Sequence, residues 1–318
     1  MHYKRTLKKT KLRLQNNKEQ NVTIKISLEW FLNPDHLPMV AGVVLGKYKE
    51  KGLDVEIIEP KEHYDGFEDL IAGNIDIHCN EPIHLFEHYF DGLKSLGWFF
   101  ETRGGVMIRA DRVEKLRTNQ KIKLTTPAAN PVTNKVGFEI LKRYAQKNGF
   151  VIERENVEFV ETDFWHLQNM KNDPSFDGAW LCFDNFEGVE ARMEGFEHLF
   201  IDQFASPYPN FSALEFMTTQ KTIDTKGEAL CTFIEVTSEM ASYLKTHPRE
   251  AQNIFYDYSG ATRTTLLDNI IVQTLVHLKT DIKADASKWR ALYEMLEALE
   301  LVKLSEQEYA TIWQTPNH

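Results

Sequence analysis

Five side chains able to ligate a metal or carry a proton fall within eleven residues: His78, Cys79, Glu81, His84 and His88. His84 and His88 are four apart and, with Glu87, spell HxxEH. Imidazoles at that spacing share one helix face and form a chelating pair. The opposing reading is that His88, one turn down the helix, packs against a sheet. A second chemical group, Trp30, Asn33 and His36, surrounds the turn Asn33-Pro34-Asp35-His36. A soft-metal site could also be assembled from separate loops, using His36, His84 and either Cys182 or His166. Neutral imidazole with thiolate suits zinc. No serine-histidine-aspartate pattern, P-loop or dinucleotide fingerprint is visible.

These residues must be positioned by strand–turn–helix units. Val22, Ile24, Ile26 and Leu28 alternate with polar residues, the period of a half-buried strand. The alternation stops at Trp30, and Pro38 opens a helix running to Gly52. In an open α/β sheet, the loop beyond a strand's carboxyl end faces the ligand crevice. Trp30, Asn33 and His36 are therefore candidate ligand contacts, set against a core role for Trp30 and a turn role for Asn33. The pattern predicts further strands at Leu53–Glu59, Ile75–Cys79, Leu96–Glu101 and Gly105–Arg109. Helices are predicted at Phe67–Ala72 and from Pro82. A second α/β series has strands at Ile122–Thr125, Val157–Glu161, Gly178–Cys182 and Leu199–Ile201. Its helices are expected to be capped by Thr133 and Asp184, with a third at Trp165–Met170. A strand follows at Ser212–Thr218, and everything beyond it reads as helix. Strands alternating with helices imply largely parallel sheets covered on both faces.

The chain has 318 residues, is 42% hydrophobic and carries a formal charge of −10, a poor balance for general nucleic-acid binding. Residues 1–20 hold seven Lys or Arg against Glu19, which leaves −16 for the rest. This basic stretch reads as a disordered leader, with contact to an anionic membrane as the alternative. No apolar run follows it, so no signal peptide is expected, and no segment is long and apolar enough to span a bilayer. These features read as a cytoplasmic location. Cys79, Cys182 and Cys231 read as free thiols.

Three stretches carry a family resemblance: LEWFLNPDH after the first strand, IDIHCNEPIH, and FEGVEARMEG after GAWLC. Together, over roughly residues 22–220, they resemble the substrate-binding proteins of sulfonate, nitrate and taurine type. They are closest to the branch handling the pyrimidine precursor of thiamine, which also contains a pyrimidine synthase. The resemblance implies a type II periplasmic-binding-protein fold, α/β in class, with two lobes joined by crossing strands. Residues 21–109 and 212–318 would form the first lobe and 110–211 the second, with crossings near Ile108–Asp111 and Asn210–Leu214. It implies a cell-surface location, in place of the cytoplasmic one, and capture of a small nitrogen heterocycle in the interlobe cleft, with ABC permease and ATPase subunits as partners and no required cofactor.

The resemblance further implies that Asn80, Glu81 and His84 face the cleft. Phe186 would stack on an aminopyrimidine and Glu187 would accept its N–H groups. The alternative for Glu187 is a first-turn acid favouring a helix N-terminus. In the synthase branch the position of Asn80 is a pyridoxal-holding lysine, and that of His84 supplies atoms to the product. This chain has no lysine there and no cysteine cluster near Cys182, which argues against synthase chemistry. By the resemblance, the loop Thr126–Thr133 replaces a Gly/Ser/Thr anion-binding loop; its lack of Gly argues against sulfonate or nitrate. The second reading is an enzyme of pyrimidine biosynthesis. The third is a zinc protein, closed by His36, His84 and Cys182 or, alternatively, by His84 and His88.

Overall fold

The computed structural model describes residues 21–60 and 66–313. The expected basic leader lies outside the described residues. Two five-stranded sheets form the frame. The first has the order β2-β1-β3-β10-β4. Its strands are β1 (Val22–Ser27), β2 (Leu53–Ile58), β3 (Ile77–Asn80), β4 (Leu93–Glu101) and β10 (Ala213–Thr219). The second has the order β7-β6-β8-β5-β9. It contains β5 (Gly104–Arg109), β6 (Ile122–Thr126), β7 (Val157–Glu161), β8 (Gly178–Phe183) and β9 (His198–Ile201).

In each sheet one strand runs against its neighbours, β10 in the first and β5 in the second. These are the strands the chain enters straight after changing sheets. The first change falls at residues 102–103, not at 108–111, because β5 pairs with β8 and β9 of the second sheet. The expected first-lobe boundary at residue 109 therefore moves back before Gly104. Thr102 N–H donates to Ser212 C=O at 2.9 Å, so the outgoing and returning strands are bonded side by side. Arg103 fixes the junction by pairing with Asp184 at 2.8 Å and Asp202 at 3.0 Å, both in the second lobe. Two adjacent crossing segments form a hinge about which the lobes can close without unfolding.

The period-two reading of β1 corresponds to burial of Ile24 and Ile26, while Lys25 is exposed. Val22 is exposed. The expected helix to Gly52 is divided into a short turn at Pro34–His36, α1 (Leu37–Val44) and α2 (Lys47–Glu50). Gly46 breaks it with φ +69°, a conformation natural to glycine. Helix α3 is Phe67–Ala72, and α4, the helix expected from Pro82, is only Ile83–Glu87. In the second lobe, α5 (Val113–Arg117) precedes α6 (Pro131–Lys147). Asn130, not Thr133, caps α6: its side chain accepts N–H bonds from Val132 at 3.0 Å and Thr133 at 2.9 Å. Helices α7 (His166–Asn172) and α8 (Glu187–Glu194) follow. Asp184 does not cap α8, because Arg103 and Arg192 occupy its carboxylate. The tail is α9 (Gln220–Thr246), α10 (Pro248–Ser259), α11 (Thr265–His277), α12 (Ala286–Ala298) and α13 (Glu306–Ile312). One apolar core packs β1 and β10 against α1, α9, α10 and α11. A second joins the other sheet to α12 and α13. No helix among the described residues is long and apolar enough to cross a membrane.

Candidate functional site

A cavity of about 460 Å³ opens between the lobes, at the carboxyl ends of the parallel strands. The first lobe contributes Trp30 after β1 and Glu81, His84, Glu87 and His88 after β3. The second contributes Pro127, Ala128, Asn130, Val132, Thr133 and Val136 after β6, Glu161 and Phe164 after β7, and Trp180, Leu181 and Phe183 from β8. Phe211, on the returning crossing, also lines the cavity. Placement at strand ends follows from the fold, because parallel strands aim their loops at one edge. Trp30 meets Phe164 edge-on at 4.7 Å between ring centroids, and Phe31 meets it at 5.8 Å. These aromatic contacts span the lobes at the cavity's rim.

His84 is the charged centre of the first-lobe wall. Its Nε2 is 3.5 Å from Glu81 Oε2 and its Nδ1 is 3.1 Å from Glu87 Oε2. Burial disfavours the imidazolium, but the two carboxylates prevail and raise its pKa to about 9. His84 is therefore protonated at neutral pH. His88 stacks at 5.5 Å from His84 and at 4.9 Å from Phe67. Trp180 presents a buried indole nitrogen with no hydrogen-bond partner among the described residues.

Of the expected contacts, Trp30, Glu81 and His84 line the cavity. The others do not. Asn33 caps the Pro34–His36 turn, accepting the Asp35 N–H at 2.9 Å. His36 is wholly buried; its Nε2 donates to Glu29 at 3.2 Å, while Nδ1 accepts the Asn33 N–H at 3.2 Å. Burial opposes and Glu29 favours a proton on His36, the balance lying upward. The Asn33 N–H leaves room for a hydrogen only on Nε2. The Cys79 thiol donates to the same carboxylate at 3.3 Å, and burial holds its pKa well up. Asn80 is buried and bonds His78 and the Glu81 N–H. Phe186 is half-buried at the start of α8 and outside the lining. Glu187 turns inward and accepts the Phe183 N–H at 2.7 Å; burial raises its pKa to about 8. A neutral, occupied acid under the wall is not the acceptor expected of it.

Cys182 is buried among Met107, Leu167, Met170 and Ala179. The expected convergence of His36, His84 and Cys182 does not occur, because the three side chains belong to separate packing environments. Among the described residues, two other groups converge: Glu29 with His36 and Cys79, and His84 with Glu87 and His88. His166 is also fully buried, and burial holds its pKa down to about 4. The sequence reading missed Glu161, Phe164, Trp180, Phe183 and Phe211 as wall residues. The legible signal was position: Glu161 ends a strand, Phe164 follows it, and Phe183 ends β8.

Two sheets with one reversed strand each, two crossings and a cleft between them define a type II periplasmic-binding-protein fold. A family model described as NMT1/THI5 like matches residues 33–251, and the chain belongs to that family. It is 25% identical over 297 residues to a Haemophilus influenzae protein named for thiamine biosynthesis, covering 90% of this chain and 91% of that one. It is 23% identical over 265 residues to the Legionella pneumophila 4-amino-5-hydroxymethyl-2-methylpyrimidine phosphate synthase, covering 79% and 78% respectively. The periplasmic aliphatic sulphonate binding protein of Escherichia coli superposes with a TM-score of 0.68 at 13% identity, covering 93% of both chains.

Proposed function

We propose that this chain is the solute-binding component of an ABC-type import system. Its cleft captures a small, neutral-to-cationic nitrogen heterocycle of the aminopyrimidine kind. The composition of the cavity wall carries this reading. Trp30, Phe164, Trp180, Phe183 and Phe211 supply aromatic faces, Glu81, Glu87 and Glu161 supply acceptors, and among the described residues no lysine or arginine lines the cavity. A sulfonate or nitrate would meet carboxylates offset by one imidazolium. A protonated or N–H-rich ring finds stacking partners and charge-assisted acceptors. The fold shared with a periplasmic binding protein supports capture, and the thiamine-related names of the relatives support the pyrimidine.

The Legionella relative's name favours a second reading, synthesis of a pyrimidine phosphate. Asn80 weighs against it, since an amide bonded to His78 and Glu81 offers no amine for a Schiff base. Incubation with pyridoxal phosphate, followed by mass spectrometry, separates the two. Capture leaves His84 intact and releases no pyrimidine. A pyrimidine product accompanied by loss of atoms from His84 establishes the enzyme. Titration with an aminopyrimidine should change tryptophan fluorescence, because Trp30 and Trp180 both line the cavity.

A further inference from the structure

We propose a divalent-metal site on the first-lobe wall of the cleft, formed by His84 Nδ1, a Glu87 carboxylate oxygen and His88 Nε2. It would take zinc or a similar first-row cation. The donor atoms of these residues lie within 4.8 Å of one another. The His84 Nδ1 to Glu87 Oε2 separation is 3.1 Å, and His88 Nε2 to Glu87 Oε2 is 3.9 Å. A tetrahedral zinc with bonds of about 2.0–2.1 Å needs donor atoms about 3.3 Å apart, so one edge already matches and another needs only a small contraction. His84 Nδ1 makes no aligned hydrogen bond, although Glu87 stands beside it. The opposite nitrogen, Nε2, faces Glu81 Oε2 at 3.5 Å. A carboxylate behind a histidine ligand sets the tautomer that frees the other nitrogen for the metal. Stacking on Phe67 orients His88.

The donor set selects the metal's chemistry. Two imidazoles and one carboxylate, with no thiolate, form an open site that leaves a coordination position for water or a ligand. That position faces the cavity, because His84, Glu87 and His88 all line it. The metal displaces the proton that His84 otherwise holds.

The other convergent group does not suit a cation. In the Glu29–His36–Cys79 cluster, the Asn33 N–H points at His36 Nδ1. A metal on Nε2 would move the ring's hydrogen to Nδ1, directly against that N–H. The Cys79 thiol is also held protonated.

Metal binding stands apart from the heterocycle reading, so the test uses zinc alone. The full chain, stripped with chelator and desalted, is titrated with zinc chloride by calorimetry. One zinc per chain is expected. Glu87→Gln and His88→Ala should each weaken it by more than about tenfold, a loss already reached when only an outer-shell partner of a metal is removed. Cys79→Ser and Cys182→Ser should leave it unchanged. Circular dichroism checks that each variant folds. If the variants misfold, histidine ring NMR signals of the native chain decide, and those of His84 and His88 should shift on zinc addition. Absence of stoichiometric binding overturns the site, as does unchanged affinity in both Glu87→Gln and His88→Ala, loss in either cysteine variant, or unmoved His84 and His88 signals.

Discussion

Burial holds the Glu187 carboxyl up at about 8, with its oxygen already accepting the Phe183 N–H. A glutamate so placed contributes to the wall's support and not to its chemistry. Glu187→Gln should leave aminopyrimidine affinity unchanged in calorimetry. Glu81→Gln should weaken it by about 1.5 kcal/mol, the low end for a charged hydrogen bond at a partly exposed site. The raised acids also set a pH dependence. Burial raises Asp35 and Glu215 to about 7, and carboxylate contacts raise His84 to about 9. Each holds a proton in the folded state that the unfolded chain releases, so stability falls as pH rises toward these values. His166 acts in the opposite sense, but only below its ordinary 6.5. His277, whose pKa burial also lowers, acts in the same sense as His166 and over the same side of 6.5. Above that pH Glu187 contributes a loss of at most about 1.4 kcal/mol per pH unit up to its folded value. Thermal melts at pH 6.5 and 8 should show a lower Tm at pH 8, and a smaller drop in Glu187→Gln.

At the scale of elements, the loop ahead of α6 shows what sequence conveys about a helix start. Thr133 and Asn130 are both capping types, and the sequence reading chose Thr133, whereas Pro131 takes the first helical position in the structure. Two N–H groups converge on the Asn130 side chain. Asn130→Ala should cost about 1 kcal/mol in chemical denaturation, and Asn130→Asp should restore it. Because Asn130 also lines the cavity, the alanine variant should weaken ligand binding as well. The strands were legible because alternation is a local property. The path of the helix after β1 was less so, since Gly46 divides it by a backbone conformation that spacing does not reveal. β5 was found as a strand yet assigned to the wrong sheet. Pairing is a long-range property, and nothing in GGVMIR names Gly178–Phe183 as its partner.

At the scale of the molecule, a buried polar cluster ties the lobes together. Asn185 of the second lobe donates to Asp35 at 2.9 Å and to Thr274 of α11 at 3.0 Å. Removing Asn185 leaves the Asp35 carboxyl buried without its amide donor. Asn185→Ala should therefore favour the open arrangement and weaken ligand by about 1–2 kcal/mol, the cost of an unmet buried partner. Small-angle scattering should show the variant more extended than the native chain at equal ligand concentration. Order along the chain tells which loops reach the carboxyl edge, so Trp30, Glu81 and His84 were legible as cavity neighbours. It does not tell whether a loop side chain turns into the cleft or under the sheet. His36 turns under because Glu29 and the Asn33 N–H hold both of its ring nitrogens. The most direct measurement of ligand class is calorimetry of the purified chain with 4-amino-5-hydroxymethyl-2-methylpyrimidine, taurine and nitrate in parallel. Capture of a nitrogen heterocycle predicts one-to-one binding of the aminopyrimidine and none of either anion. Binding of taurine or nitrate without the aminopyrimidine would contradict it.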